Sequence, residues 1–172
     1  GRASLAVTPL QRDNPKIPGW SFVIRETPQP GEYRYLRLAW RKKGSGGVML
    51  ELARNGQWPD AKDPKGRYYA GSNQTGWAAI AVSPEAPASW TLVTVDLWKD
   101  MGNFTLTGCA PTCDGGEEAY LDSLILGPTI ESLDAYRPGE SASTSSIAEP
   151  IPQDVGDAFT DARNPIRKLF RG

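Results

Sequence analysis

"YRYLRLAWRKKGSGGVMLELA", residues Tyr33–Ala53, carries the reading of the fold. Leu36, Leu38 and Trp40 recur at every second position with Arg37 and Arg41 between them. Val48, Leu50 and Leu52 resume the same beat after a glycine-rich break. Successive side chains of an extended chain point to opposite faces, so this alternation marks half-buried strands and not a helix. The break contains Gly44, Ser45, Gly46 and Gly47, residues suited to a tight turn, and the two segments read as a hairpin.

The same pattern recurs on both sides. "WSFVIRE" places Trp20, Phe22 and Ile24 on one face, and "WAAIAV", "WTLVTVDLW" with Val93, Val95 and Leu97 aligned, "FTLTGCA" and "GEEAYLDSLILG" follow, each bounded by Gly, Pro, Asn or Asp. With a short strand at Arg67–Ala70, eight segments read as strands and helical periodicity is absent between Trp20 and Leu126. This is the signature of an all-β protein, an antiparallel β-sandwich, with one sandwich module over residues 1–136. Beyond it the Ser-, Pro- and Glu-rich stretch 137–172 reads as a linker or docking tail with short helical pieces. "TIESLDAY" before it suits a helical turn.

Composition narrows the chemistry. At 172 residues the chain can bury a core without metal or disulfide staples. A formal charge of −1 gives no basic footprint for nucleic acid, and no apolar run is long enough for a membrane span. The chain has no histidine, which excludes Ser-His-Asp, Cys-His and zinc-hydrolase sites and CxxCH haem attachment. No GxGxxG is present, and "KKGSGG" lacks the Walker lysine and hydroxyl. Glu117 and Glu118 point to opposite faces of a strand and cannot flank one bond, and Asp96 with Asp100 is the remaining carboxylate pair. Catalysis is not expected.

The stretch Arg54–Thr75, "RNGQWPDAKDPKGRYYAGSNQT", breaks the alternation and is too long for a turn. Flat aromatic faces suit the C–H side of a pyranose ring, and amide or charged groups suit its hydroxyls. Trp58, Tyr68, Tyr69 and Trp77 would supply the first, and Asn55, Gln57, Arg67, Asn73 and Gln74 the second. Equally, such aromatics plug the ends of sandwiches. Arg34, Arg37, Arg41, Lys42 and Lys43 cluster around one strand and read as a solvated face, or else as a docking surface for an acidic partner. Cys109 and Cys113 flank "APT" and are too few for zinc. They are either two separate thiols or, if the domain is exported, a disulfide closing the tip before "DGG".

"SWTLVTVDLWKDMG", "FTLTGCAPT" and "GEEAYLDSLILG" together resemble the closing strands of galactose-binding-like jelly rolls, the fold of many carbohydrate-binding modules. The matching positions are Trp90, Val93, Val95, Asp96 and Leu97, then Ala119, Tyr120, Leu121, Asp122 and Leu124. "YRYLRLAWRKKG", "RYYAG", "FTLTG" and "DARNPIRKLFRG" resemble a module of large secreted multidomain proteins of planctomycete-type bacteria, some with c-type cytochrome domains. These resemblances imply a polysaccharide or glycan as partner, neighbouring domains of the same chain, and an extracytoplasmic setting, with any haem outside this segment. They also imply a structural calcium on Asp122 with Glu26, since calcium takes hard oxygen ligands. The paired-glutamate motif that usually accompanies that site is missing. The alternative for Asp122, an acid inside an apolar strand, is to cap loop amides or to pair with an arginine such as Arg34.

Overall fold

The computed structural model describes residues 4–9 and 18–136, all within the unit Gly1–Pro138; the linker and helical pieces expected over 137–172 lie outside the described residues. In chain order the elements are β1 (Leu5–Val7), β2 (Phe22–Ile24), β3 (Glu32–Tyr33), β4 (Tyr35–Lys43), β5 (Gly47–Arg54), β6 (Arg67–Gly71) and β7 (Ile80–Ser83). They continue with β8 (Thr91–Asp96), α1 (Leu97–Met101), β9 (Phe104–Asp114), β10 (Glu118–Gly127) and α2 (Ile130–Ala135). The strands form two sheets, β1-β10-β4-β8 and β3-β2-β9-β5-β6-β7, which close on one core as an all-β sandwich. Most pairs are antiparallel, while the edge pairs β2–β3 and β6–β7 are parallel. No helix among the described residues is long and apolar enough to cross a membrane.

The alternation of β4 holds: Leu36, Leu38 and Trp40 are buried, and the residues between them lie at the rim or on the outer face. Lys42 follows the inward beat, so it is buried and not part of a solvated cationic face, and its amine donates to the Lys43 carbonyl at 2.8 Å. The expected hairpin does not form. β4 pairs with β8 and β10, β5 pairs with β6 and β9, and the glycine-rich break is a corner that carries the chain from one sheet to the other. A second corner, Gly115–Gly116, returns the chain from β9 to β10 beside the first. A Cβ on Gly46 would overlap the Asp114 carbonyl, and one on Gly116 the Ser45 carbonyl, so the two glycine runs exist for this back-to-back approach.

Two further departures are local. The strand expected through Trp98 stops at Asp96, whose carboxylate accepts from the Lys99 amide at 3.0 Å and caps α1. The turn at "TIESLDAY" is α2, opened by a reciprocal pair between Thr129 and Ser132.

Candidate functional site

The long loop between β5 and β6 has a structural task. β5 is central, and it is buried on both faces: Leu50 and Leu52 face the core, while Met49, Glu51 and Ala53 are covered on the other side. The loop folds back to make that cover. Arg67, 2% exposed, donates Nε to Glu51 Oε2, Nη1 to the carbonyls of Asp60 (2.8 Å) and Asp63 (3.2 Å), and Nη2 to the Pro59 carbonyl. Its guanidinium also lies 5.1 Å from the ring centre of Trp77. A buried carboxylate needs a paired, hydrogen-bonded cation, and the same cation ties down the loop that hides it.

Several of the nine residues expected to hold a ligand have structural partners of their own in this fold. Tyr68 faces the core, 1% exposed, and burial together with its 2.8 Å hydrogen bond to Asp100 Oδ2 raises its pKa. Arg67 is consumed by the loop clamp and Trp77 is stacked on it. Asn55 adopts a positive φ of 52° and accepts from the Thr105 amide, while Asn73 donates to the Trp77 carbonyl, so both hold turns. The Trp58 ring lies over Gly108, where it helps cover Ala53. Tyr69 is half-buried beside Met49, and Gln57 and Gln74 are exposed on separate turns. Burial removes Tyr68 and Arg67 from any open binding surface.

Asp122 is opposite Ala39, at the start of a bulge that runs to Ile125. Ser123 there has φ 55°, and its amide, turned out of the ladder, donates to Asp122 Oδ1 at 2.6 Å. Arg34 belongs to Asp96, with its fork closing on the carboxylate at 2.7–3.1 Å. Partial burial works to raise the Asp96 carboxyl, but Arg34 and the Lys99 amide outweigh it and hold it below the usual carboxylate range. Glu26 lies near Arg34, its carbonyl accepting from Arg34 Nη1. From Arg34 to the level of Asp122 is five residues of strand, or about 17 Å. Glu26 thus lies by the Arg34 end of β4 and Asp122 beside Ala39 farther along it, and no group of three or more acidic, Cys or His residues that could hold a metal occurs among the described residues.

Both cysteines lie on β9 with three residues between them, a Cα separation of about 13 Å in extended chain, far beyond disulfide reach. The expectation of a bridged tip fails because β9 continues as a strand through Cys113. Burial pushes the Cys109 thiol up to about 11, and burial also raises Cys113. Cys109 faces a cavity of about 280 Å³ between the sheets, walled by Trp20, Phe22, Tyr33, Leu106 and Leu126 among others. The walls are apolar, with no group that could act as acid or base near neutral pH.

A further open surface among the described residues is the outer face of the four-stranded sheet. Tyr120 is opposite Arg41, and Trp90, just before β8, falls at the same level on the other side. The two rings reach towards each other across Arg41, 6.4 Å between centres at 61°, with the guanidinium 5.8 Å from the Tyr120 ring centre. Trp90 is 46% exposed. The next row is Asp122, Ala39 and Leu92, in which the small Ala39 leaves a shallow floor between its neighbours. Sequence reasoning placed Trp90 as the opener of a strand in the jelly-roll resemblance and Arg41 in a basic cluster read as a solvated face or a docking surface for an acidic partner, and it did not bring the two together. Their juxtaposition depends on the register of three strands distant in sequence. Comparison with known proteins brings no match for the chain, whether among family models, curated proteins or solved structures.

Proposed function

We propose that the sandwich is a non-catalytic carbohydrate-binding module of a larger extracytoplasmic protein, and that its platform is the row Trp90–Arg41–Tyr120 with Ala39 and Leu92 beside it. The observation that carries the reading is an exposed indole in edge contact with a second ring that itself packs over a guanidinium, on an open sheet face with polar groups alongside. A pyranose ring stacks on such a surface, and its hydroxyls meet the flanking polar side chains. The resemblance to galactose-binding-like modules points the same way. The non-catalytic part rests on the carboxylates weighed for glycoside chemistry, each of which is engaged: Asp96 by Arg34, Asp100 by Tyr68, Glu117 by Lys43 and Glu118 by the Tyr120 hydroxyl.

Affinity gels and a glycan array with plant, algal and bacterial polysaccharides test the reading. Trp90→Ala with Tyr120→Ala is expected to abolish binding, and Trp58→Ala with Tyr69→Ala to leave it. The opposite result would return the site to the loop, and no binding across the set would sink the proposal. A docking module that positions neighbouring domains is the second reading. Leu5 and Leu92, 56% and 60% exposed on the same sheet, favour it.

A further inference from the structure

Resting on that reading, we infer that the platform selects acidic sugars, with Arg41 taking the carboxylate of a uronate or the sulfate of a sulfated residue while Trp90 carries the ring. Six of the arginine and lysine side chains among the described residues have a carboxylate partner: Arg25, Arg34, Arg37, Lys43, Arg54 and Arg67. Arg41 has no ion pair of this kind among the described residues, although it lies over the Tyr120 ring and its Nε is buried without a hydrogen-bond acceptor. The acids nearest along the strand edge are already occupied, Glu117 by Lys43 and Glu118 by Tyr120 and Lys43. A planar fork over the Tyr120 ring, with no carboxylate partner among the described residues, is suited to a planar or tetrahedral oxyanion, which it grips through parallel N–H donors. The ring and the anion of one acidic sugar residue would be met at once, the ring by Trp90 and the anion by Arg41.

The test is affinity electrophoresis of the full chain through polygalacturonate and alginate (carboxylate), carrageenan (sulfate), and xylan and mixed-linkage glucan (neutral). Retardation by the acidic polymers, weakening with added salt, is expected, and the carboxylate and sulfate arms tell the two anions apart. Arg41→Gln should weaken acidic-polymer binding by about tenfold or more, the scale of losing a charge-assisted hydrogen bond. Arg41→Lys, which keeps the charge without the fork, should recover only a fraction. Lys43→Gln removes the same charge a short distance away and should change little; a loss equal to that of Arg41→Gln, or full recovery by Arg41→Lys, overturns the inference. Circular dichroism of each variant confirms the fold. Binding of neutral polymers alone, abolished by Trp90→Ala, overturns the acidic-sugar assignment and keeps the platform, whereas no binding to any polymer overturns both.

Discussion

Replacing Arg67 with methionine isolates what the loop clamp contributes. The Glu51 carboxylate, 4% exposed, would lose its cation, and breaking a buried pair from one side costs about 3–5 kcal/mol. The carbonyls of Pro59, Asp60 and Asp63 would lose a donor as well. Asp60 is exposed and Asp63 partly so, and water can replace the guanidinium there. Pro59 is buried, and its orphaned carbonyl adds about 1–3 kcal/mol. Arg67→Met should therefore destabilise by about 4–8 kcal/mol, a large part of the roughly 5–15 kcal/mol of a typical domain, and lower the melting temperature by roughly 15–30 °C. The double variant Glu51→Met with Arg67→Met removes the stranded charge and keeps only the carbonyl loss, so it should be the more stable of the two. Urea unfolding followed by tryptophan fluorescence measures all three proteins. A double variant no better than Arg67→Met, or a single variant costing under about 1 kcal/mol, would refute the view that the clamp is an ion pair holding the cover over β5.

Asp96 gives the fold an acid limb: its folded carboxyl is held low, so its contribution is complete above the unfolded value of about 4 and is lost as pH falls through the lower folded value. A melting series from neutral to strongly acidic pH should show that decline in the wild type, and Asp96→Asn should be less stable at neutral pH with a flatter acid limb. Intact mass after alkylation without reductant should find two free thiols in oxidatively prepared, unfolded protein, with Cys109 slow to react at pH 8 in the folded state; one bridged pair would contradict the β9 geometry. Chelator should leave the melting temperature unchanged, while Asp122→Ala costs about 1–3 kcal/mol by freeing the Ser123 amide, and a drop on chelation would restore the metal reading.

The strands were legible because alternation is local: Leu36, Leu38 and Trp40 declare an inward face without help from the rest of the chain. The partnership of those strands was not. Gly44–Gly47 announces a turn, but whether a turn closes a hairpin or changes sheets depends on what lies beside it, here Asp114 and the second glycine corner. Glu51 shows the same limit. It stands at an outward position of an alternating strand, where the local pattern carries no sign of burial, and only the loop folded over it, through Arg67, makes it buried. The same long-range closure took Arg67 and Tyr68 out of the expected ligand set and into packing. The platform row was hidden for a related reason: Trp90, Arg41 and Tyr120 are brought together by two strand registers that no short window contains.

β1 runs antiparallel to β10 through the register Leu5 to Leu121, Ala6 to Tyr120 and Val7 to Ala119. A chain pulled from both ends would load β1 at Leu5 and β10 at Gly127, the same end of the pair. Tension would therefore open this seam one rung at a time, like a zipper, instead of shearing all rungs together. The three-residue β1 would peel first, baring the backbone edge of β10 beside Tyr120 while β10–β4 stays intact. An edge uncovered in this way is a template for another extended strand. Mechanical load would thus draw Val7 out of the core at this seam and expose a new adhesive rim beside the aromatic row before the other strand pairs part.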